Sequence, residues 1–347
     1  MKMITVKQFG LTPSGEPVSQ VTIKNNHGHE LGLISYGASW QFFREQDGTQ
    51  HRDLVVGFDS LDDYLTHPYY LGNAIGRVAG RIGSASFDLN GNNYDIEANE
   101  GGNTLHGGDH GFADRNWQTQ ILEEENAVVF STTLKPEEDG FPGQMDTTVK
   151  YTLTEANVVE IEFSAITDED TLYNPTSHVY MNPAGKGTDA RELTLHLVAQ
   201  NRLEMDHEKI PTGNKLDVRG TAYDFTEATI IDDNLAKGVD QFDDVYALDE
   251  LTDAQPNATL ADPKSDRAIE VRTDRNALVF FIANPADDGS NSADWIERHP
   301  FNAIALEAQI LSDAIHHQEF GDIVLVAGKQ QTYRTSYTFK GIRGSND

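Results

Sequence analysis

The ten residues VVEIEFSAIT (158–167) alternate apolar and polar side chains with a period of two. In an extended chain, successive Cβ atoms point to opposite faces. Val159, Ile161, Phe163 and Ala165 therefore share one face, while Glu160, Glu162 and Ser164 share the other. The stretch is predicted as a strand with one covered and one solvated side.

Similar segments recur along the chain: ELTLHLVA (192–199), AIEVRT (268–273), ALVFFIA (277–283) and DIVLVA (322–327). SASFDLNGNNYDIEA (84–98) reads as a hairpin, with Asn90-Gly91 as the turn between two period-2 runs. Helical signals are weak and local. The best is SLDDYL (60–65), with Ser60 as its N-cap. No Pro- or Ser-rich linker divides the chain, and no repeat of fixed period is evident. The expected architecture is all-β, a large antiparallel β-sandwich or barrel in a single domain spanning 1–347.

The 347 residues suffice for a large core, and 38% hydrophobic content fits a globular protein. With 26 basic and 56 acidic residues, the formal charge of −30 repels nucleic acid and anionic membranes. Cysteine is absent, which removes disulfides, thiolate catalysis and Cys-based zinc sites together. The opening MKMITVKQFGLTPSGEP has no apolar signal region, and nothing approaches the length of a membrane span. A cytoplasmic location is expected, with neither a nucleic-acid nor a membrane partner.

Function has to come from particular residues. In NEGGNTLHGG (99–108), the glycines and Asn103 suit a turn because they accept positive φ. His106 has no such explanation. It is loop decoration, a metal ligand or part of a site. In YNPTSHVYMNP (173–183), Thr176, His178, Tyr180 and Asn182 share one strand face. Pattern alone assigns that face to solvent; the alternative is the lining of a polar cleft. In FNAIALEAQI (301–310), Ala303, Ala305, Glu307 and Gln309 share a face, so Glu307 follows two alanines that leave space above the sheet. Desolvation there would make its carboxylate a stronger base. In so acidic a chain, a solvated or structural role is the default for any single Glu.

GNAIGRVAGRIGSASF (72–87) lacks the Lys-Ser/Thr of a P-loop and the surroundings of a dinucleotide fingerprint. Arg77 and Arg81, set among small residues, either pair with surface carboxylates or direct their planar forks at ligand oxygens. His316-His317 would face opposite ways on a strand, no H-E-x-x-H occurs, and no metal is expected. A serine-hydrolase elbow is also missing.

Taken in order, these stretches resemble the aldose 1-epimerase, or galactose mutarotase, family. The residues that carry the resemblance are GRVAGRI (76–82) with F-x-L-x-G-x-x-Y (87–94), then NEGGNTLHGG (99–108). NPTSHVYMN (174–182), FDDVYAL (242–248) and ALEAQ (305–309) follow. The resemblance runs from about residue 20 to the C-terminus. It implies an extended sandwich of two large antiparallel sheets (a supersandwich) and interconversion of the α and β anomers of a free aldose. By resemblance, Glu307 is the general base and His178 the general acid, and His106 and Arg81 hold the sugar near its ring oxygen. Asp243 binds sugar hydroxyls, and Tyr180 and Asn182 belong to the same cleft. No cofactor is implied. The partner is a small sugar, and the assembly is a monomer or homodimer. The reference pKa values, roughly 4.3 for Glu and 6.5 for His, leave Glu ionised and His partly protonated near neutrality.

Three departures stand out. The family's usual Asp-His is Asp243-Asp244 here, Asp240 rivals Asp243 for the hydroxyl-binding role, and Pro285 stands where an aromatic is common. Alternatives within the family are a preference for a disaccharide such as maltose or for a hexose 6-phosphate. Outside it stand a silent carbohydrate-binding protein on the same scaffold and a glycoside hydrolase with paired carboxylates.

Overall fold

In a computed structural model of the chain, the alternating stretch forms strand Val158–Thr167. The structure describes residues 3–47, 49–66, 69–251, 255–282 and 301–343. Val159, Ile161, Phe163 and Ala165 are buried, as the period of two requires. The strand pairs antiparallel with Met145–Leu153 on one side and Gln331–Lys340 on the other. It lies inside a nine-stranded sheet.

A seven-stranded sheet packs opposite. Its order is Pro211–Asp217, Asn201–Met205, Asp243–Ala247, Ala277–Ile282, Ile304–Gln309, Tyr180–Met181 and Val55–Val56. Five further strands between Met3 and Asp53 form a third sheet. One continuous apolar core joins the three. Ile161, Phe163 and Tyr337 contribute from the first sheet, Leu278, Phe280 and Leu306 from the second, and Val21 and Trp40 from the third. The fold is an all-β, antiparallel sandwich.

The short-range expectations hold where local chemistry is strong. Ser86–Leu89 and Asn92–Asp95 form the hairpin, and Asn90 (φ 53°) and Gly91 (φ 81°) supply the left-handed turn. Helix Leu61–Thr66 is capped by Ser60, whose Oγ accepts from the Asp63 N–H at 3.3 Å. Of DIVLVA, only Val324–Leu325 pairs as strand. His316-His317 sits in a turn, not a strand, and His316 Nδ1 lies 2.7 Å from Asp313 Oδ1. Among the described residues, no helix is long and apolar enough to cross a membrane.

Register across the seven-stranded sheet positions the site. Asp243 pairs with Phe281, Phe281 with Ala305, and Ala305 with Tyr180. One step along, Val245 pairs with Val279 and Val279 with Glu307. Paired residues share a face, and the alternation carries both rows to the same side. The neighbouring Leu278, Phe280, Leu306 and Ala308 turn into the core. Strand Ile304–Gln309 is therefore buried on both faces.

Ile161→Ala removes a side chain that is 1% exposed. It should destabilise the fold by about 2–5 kcal/mol, the usual cost of such a truncation. Chemical denaturation measures this; a loss below ~1 kcal/mol would mean that Ile161 is not held in the core.

Candidate active site

The face bearing Glu307 is roofed by two loops. Leu105 pairs with Arg81 through the short strands Thr104–Leu105 and Arg81–Ile82, which sets His106 beside Gly80. The His106 N–H donates to the Gly80 carbonyl at 3.0 Å. In return, the Gly80 N–H donates to His106 Nδ1 at 3.2 Å. The loop needs Gly107 and Gly108, both at positive φ with no room for a Cβ. Gly107 has φ 89°, and a Cβ there would lie 2.2 Å from the Gly76 carbonyl oxygen. Asn103 does something other than the expected positive-φ turn: its Oδ1 accepts from the Ser84 N–H at 2.9 Å. His106 itself takes the left-handed backbone, at φ 54°.

These segments enclose a cavity lined by Arg81, His106, His178, Tyr180, Asp243 and Glu307. Tyr69, Tyr70, Lys209, Gln241, Val279, Phe281 and Gln309 complete much of its wall. The face assigned to solvent by pattern is buried instead at His178, whose ring lies against the rings of Tyr70 and His106, while the Gly72–Asn73 segment bonds the backbone edge. The His178 N–H donates to the Asn73 carbonyl at 2.9 Å, and the His178 carbonyl accepts from Gly72 at the same distance.

His178 Nε2 lies 3.4 Å from Glu307 Oε1, with both residues almost fully buried. The His178 ring stacks on Tyr180, centroids 5.1 Å apart, and meets His106 edge-on at 5.5 Å. Glu307 Oε2 and His178 Nδ1 have no hydrogen-bond partner among the described residues. Arg81 gives its guanidinium fork to Glu100, with Nη2 donating to Oε1 at 2.7 Å. Asp243 accepts from the Lys209 ammonium.

Burial reverses the charge state read from reference pKa values. It pushes the Glu307 carboxyl up to about 8, helped by the negative charge of Asp243 and opposed by Arg81. It pushes the His178 imidazole down to about 4. His106 is held well below its ordinary value by burial, then by His178 and Arg81. At neutral pH the resting pair is thus a carboxylic acid beside a neutral imidazole. Both forms, this one and carboxylate–imidazolium, carry one shared proton.

Ligand atoms of His106, His178 and Glu307 lie within 4.8 Å of one another. His106 argues against a metal there. Its Nδ1 lone pair takes the Gly80 N–H, so a neutral ring carries its hydrogen on Nε2 and acts as a donor.

Not every sequence candidate reaches the cavity. Asn182 is fully buried elsewhere, its Nδ2 donating to the Asn302 carbonyl at 2.6 Å and the Thr188 carbonyl at 3.0 Å. It holds two loops together. Tyr180 is in the wall, but its hydroxyl donates to the Tyr69 carbonyl at 3.1 Å, leaving the ring as a platform for His178. Arg77 is structural, donating to the carbonyls of Pro142, Gly143 and Lys135. Asp243, not Asp240, lines the cavity. Asp244 points to the opposite face and pairs with Arg202 at 3.1 Å. Pro285 lies outside the described residues.

Sequence reading missed Tyr70, Lys209, Gln241 and Phe281 as cavity wall. Alternation in ALVFFIA was a signal for Phe281, since Val279 and Phe281 share a face. Nothing local marks Lys209, which sits in a turn.

A carboxyl group and an imidazole buried side by side, framed by hydrogen-bonding side chains, can exchange protons with a small polar molecule. A family model described as Aldose 1-epimerase matches residues 19–338, and the chain belongs to that family of isomerases. A maltose epimerase of Levilactobacillus brevis is 39% identical, the match covering 97% of this chain and 99% of that one. The galactose mutarotase of Bos taurus is 30% identical over 98% and 99% of the two chains. The solved structure of an aldose epimerase homologue from C. elegans has a TM-score of 0.84 at 26% identity, covering 94% of this chain and all of that one.

The Glu307 proton is linked to stability. The unfolded carboxyl loses it near roughly pH 4.3, whereas the folded chain keeps it to about 8. Between those values the folded state binds more protons, so stability falls as pH rises. Glu307→Gln should therefore raise the melting temperature clearly at about pH 8 and little at about pH 4.5. Equal shifts at both would contradict the raised carboxyl.

Proposed function

We propose that Glu307 and His178 form the acid–base pair of this aldose 1-epimerase, acting on a neutral free sugar. The observation that carries the proposal is their 3.4 Å approach in a cavity where, among the described residues, no Lys or Arg pairs with the carboxyl.

In the carboxylate–imidazolium form, Glu307 takes the proton of the anomeric O1 hydroxyl while His178 gives one to the ring oxygen. The C1–O5 bond breaks and an aldehyde forms. Rotation about C1–C2 presents the other carbonyl face. The ring then closes as O5–H returns its proton to His178 and the Glu307 carboxyl reprotonates O1. The pair holds one proton throughout; ring opening only moves it from imidazole to carboxyl. The neutral form favoured by burial is thus the protonation state of the open-chain intermediate. His106, with a hydrogen on Nε2, supports a sugar oxygen, and Arg81 and Asp243 support further positions.

A second reading is that the preferred substrate is a reducing disaccharide. It is favoured by the 39% identity to a maltose epimerase. The chemistry is unchanged, since only a free anomeric hydroxyl is required.

Polarimetry of freshly dissolved α-D-glucose, α-D-galactose, maltose and glucose 6-phosphate tests both readings. The wild type should equilibrate at least one neutral sugar faster than buffer does, and Glu307→Gln and His178→Asn should each lose about 10²- to 10⁴-fold in rate. A fully active Glu307→Gln would remove the base assignment.

The pH profile gives an independent check. Below about 4, His178 gains a second proton for the pair; above about 8, Glu307 loses the last one. kcat/KM should form a bell between those limits, falling about tenfold per pH unit outside them. A profile flat from pH 4 to pH 10 would exclude the pair.

A further inference from the structure

Lys209 occupies the turn between strands Asn201–Met205 and Pro211–Asp217, with φ 60°. The turn is pinned from within. Asp206 Oδ1 accepts from the N–H groups of Glu208 at 2.8 Å and Ile210 at 3.0 Å. So fixed, the turn sets the half-exposed Lys209 side chain at the rim of the cavity, where its Nζ donates to Asp243 Oδ2. Gln241, two residues before Asp243, lines the same wall, and its buried Nε2 has no hydrogen-bond partner among the described residues.

An ammonium only donates hydrogen bonds, a carboxylate only accepts them, and a hydroxyl does both. Lys209 has used one of its three hydrogens on Asp243. Side by side, the two groups match neighbouring hydroxyls of a pyranose, one giving its hydrogen to the carboxylate and the other taking one from the ammonium. Charge on the wall points the same way. Among the described residues, the two Lys and Arg cations that line the cavity already hold a carboxylate, Arg81 with Glu100 and Lys209 with Asp243. A phosphate would have to displace one of those carboxylates, whereas hydroxyls fit around an intact pair.

We infer that Lys209 is a specificity-determining residue that reads, together with Asp243, one pair of adjacent sugar hydroxyls at the cavity rim. This rests on the aldose reading of the cavity.

The test compares wild type with Lys209→Met, which keeps the aliphatic stem and removes the donors, and with Lys209→Arg, which restores donors. Substrates are the best neutral sugar of the wild type and its single-deoxy analogues. Lys209→Met should raise KM about 10- to 100-fold, as expected for loss of a charged hydrogen bond, with kcat within about threefold. The penalty that wild type shows for one deoxy analogue should vanish in Lys209→Met and partly return in Lys209→Arg. Thermal unfolding should be unchanged, because so exposed an ion pair contributes little to stability. Should Lys209→Met melt early, Lys209→Gln is read by the same criteria. An unchanged KM and deoxy profile, or a loss confined to kcat, overturns the inference while leaving the acid–base reading in place. A wild type inactive on every aldose removes the aldose reading and this inference with it.

Discussion

A buried carboxyl group with no Lys or Arg paired to it among the described residues is the constraint on which the site depends. Glu307 is 3% exposed, and the nearest guanidinium has its fork committed to Glu100. Taking an unpaired carboxylate out of water is costly, and the protein meets that cost by keeping the proton on. Such a group needs walls on all sides. The seven-stranded sheet supplies the floor because both faces of Ile304–Gln309 are covered, Leu306 by the sandwich core and Glu307 by a cavity wall that includes Tyr70, Leu105 and His106. Ala305 stays small because Tyr180, paired across from it, fills the space above.

The same burial acts on His178 in the opposite sense, and the two shifts compensate chemically. Raising the carboxyl and lowering the imidazole makes the neutral pair the resting form, yet no proton has to enter or leave for the pair to reach its charged tautomer. The pair can therefore serve two opposite proton transfers without exchanging a proton with solvent. His106 contributes through its tautomer. The Gly80 N–H claims Nδ1, which fixes the hydrogen on Nε2 and gives the cavity a neutral donor beside the pair. The left-handed backbone of His106 and the close approach of Gly107 to Gly76 are what bring that ring into place.

What the sequence made legible was whatever rests on period and on local turn chemistry. Val158–Thr167 and the Asn90-Gly91 hairpin followed from side-chain alternation and from residues that accept positive φ. The pairing of Glu307 with Gln309 on one face followed too, and both line the cavity. Alternation cannot say which face of a strand meets solvent. That is why the His178 face reads as exposed until Tyr70 and His106 are placed against it. Nor can it separate Arg77 from Arg81, four residues apart: one is spent on three backbone carbonyls and the other reaches the cavity. Asn182 was drawn toward the site by its position in a motif, whereas its amide is consumed by loop carbonyls. Lys209 stayed invisible because the contact that gives it meaning spans 34 residues.

The Asp243-Asp244 pair shows how a departure from the family pattern can leave the cavity face untouched. Adjacent strand residues face opposite ways, so a change at 244 acts in a different layer from Asp243. There the Asp244 carboxyl is buried and pushed up to about 6 by desolvation, partly offset by Arg202. Arg202 in turn lies over the Tyr223 ring, 3.8 Å from its centroid. The second acid is thus absorbed by a guanidinium stacked behind the sheet, and the cavity sees it only through its charge. That charge adds to the negative field around Asp243, where Lys209 stands as the counterweight on the solvent side. The ion pair at the rim thus offsets carboxylate charge where the cleft of a strongly acidic protein meets solvent.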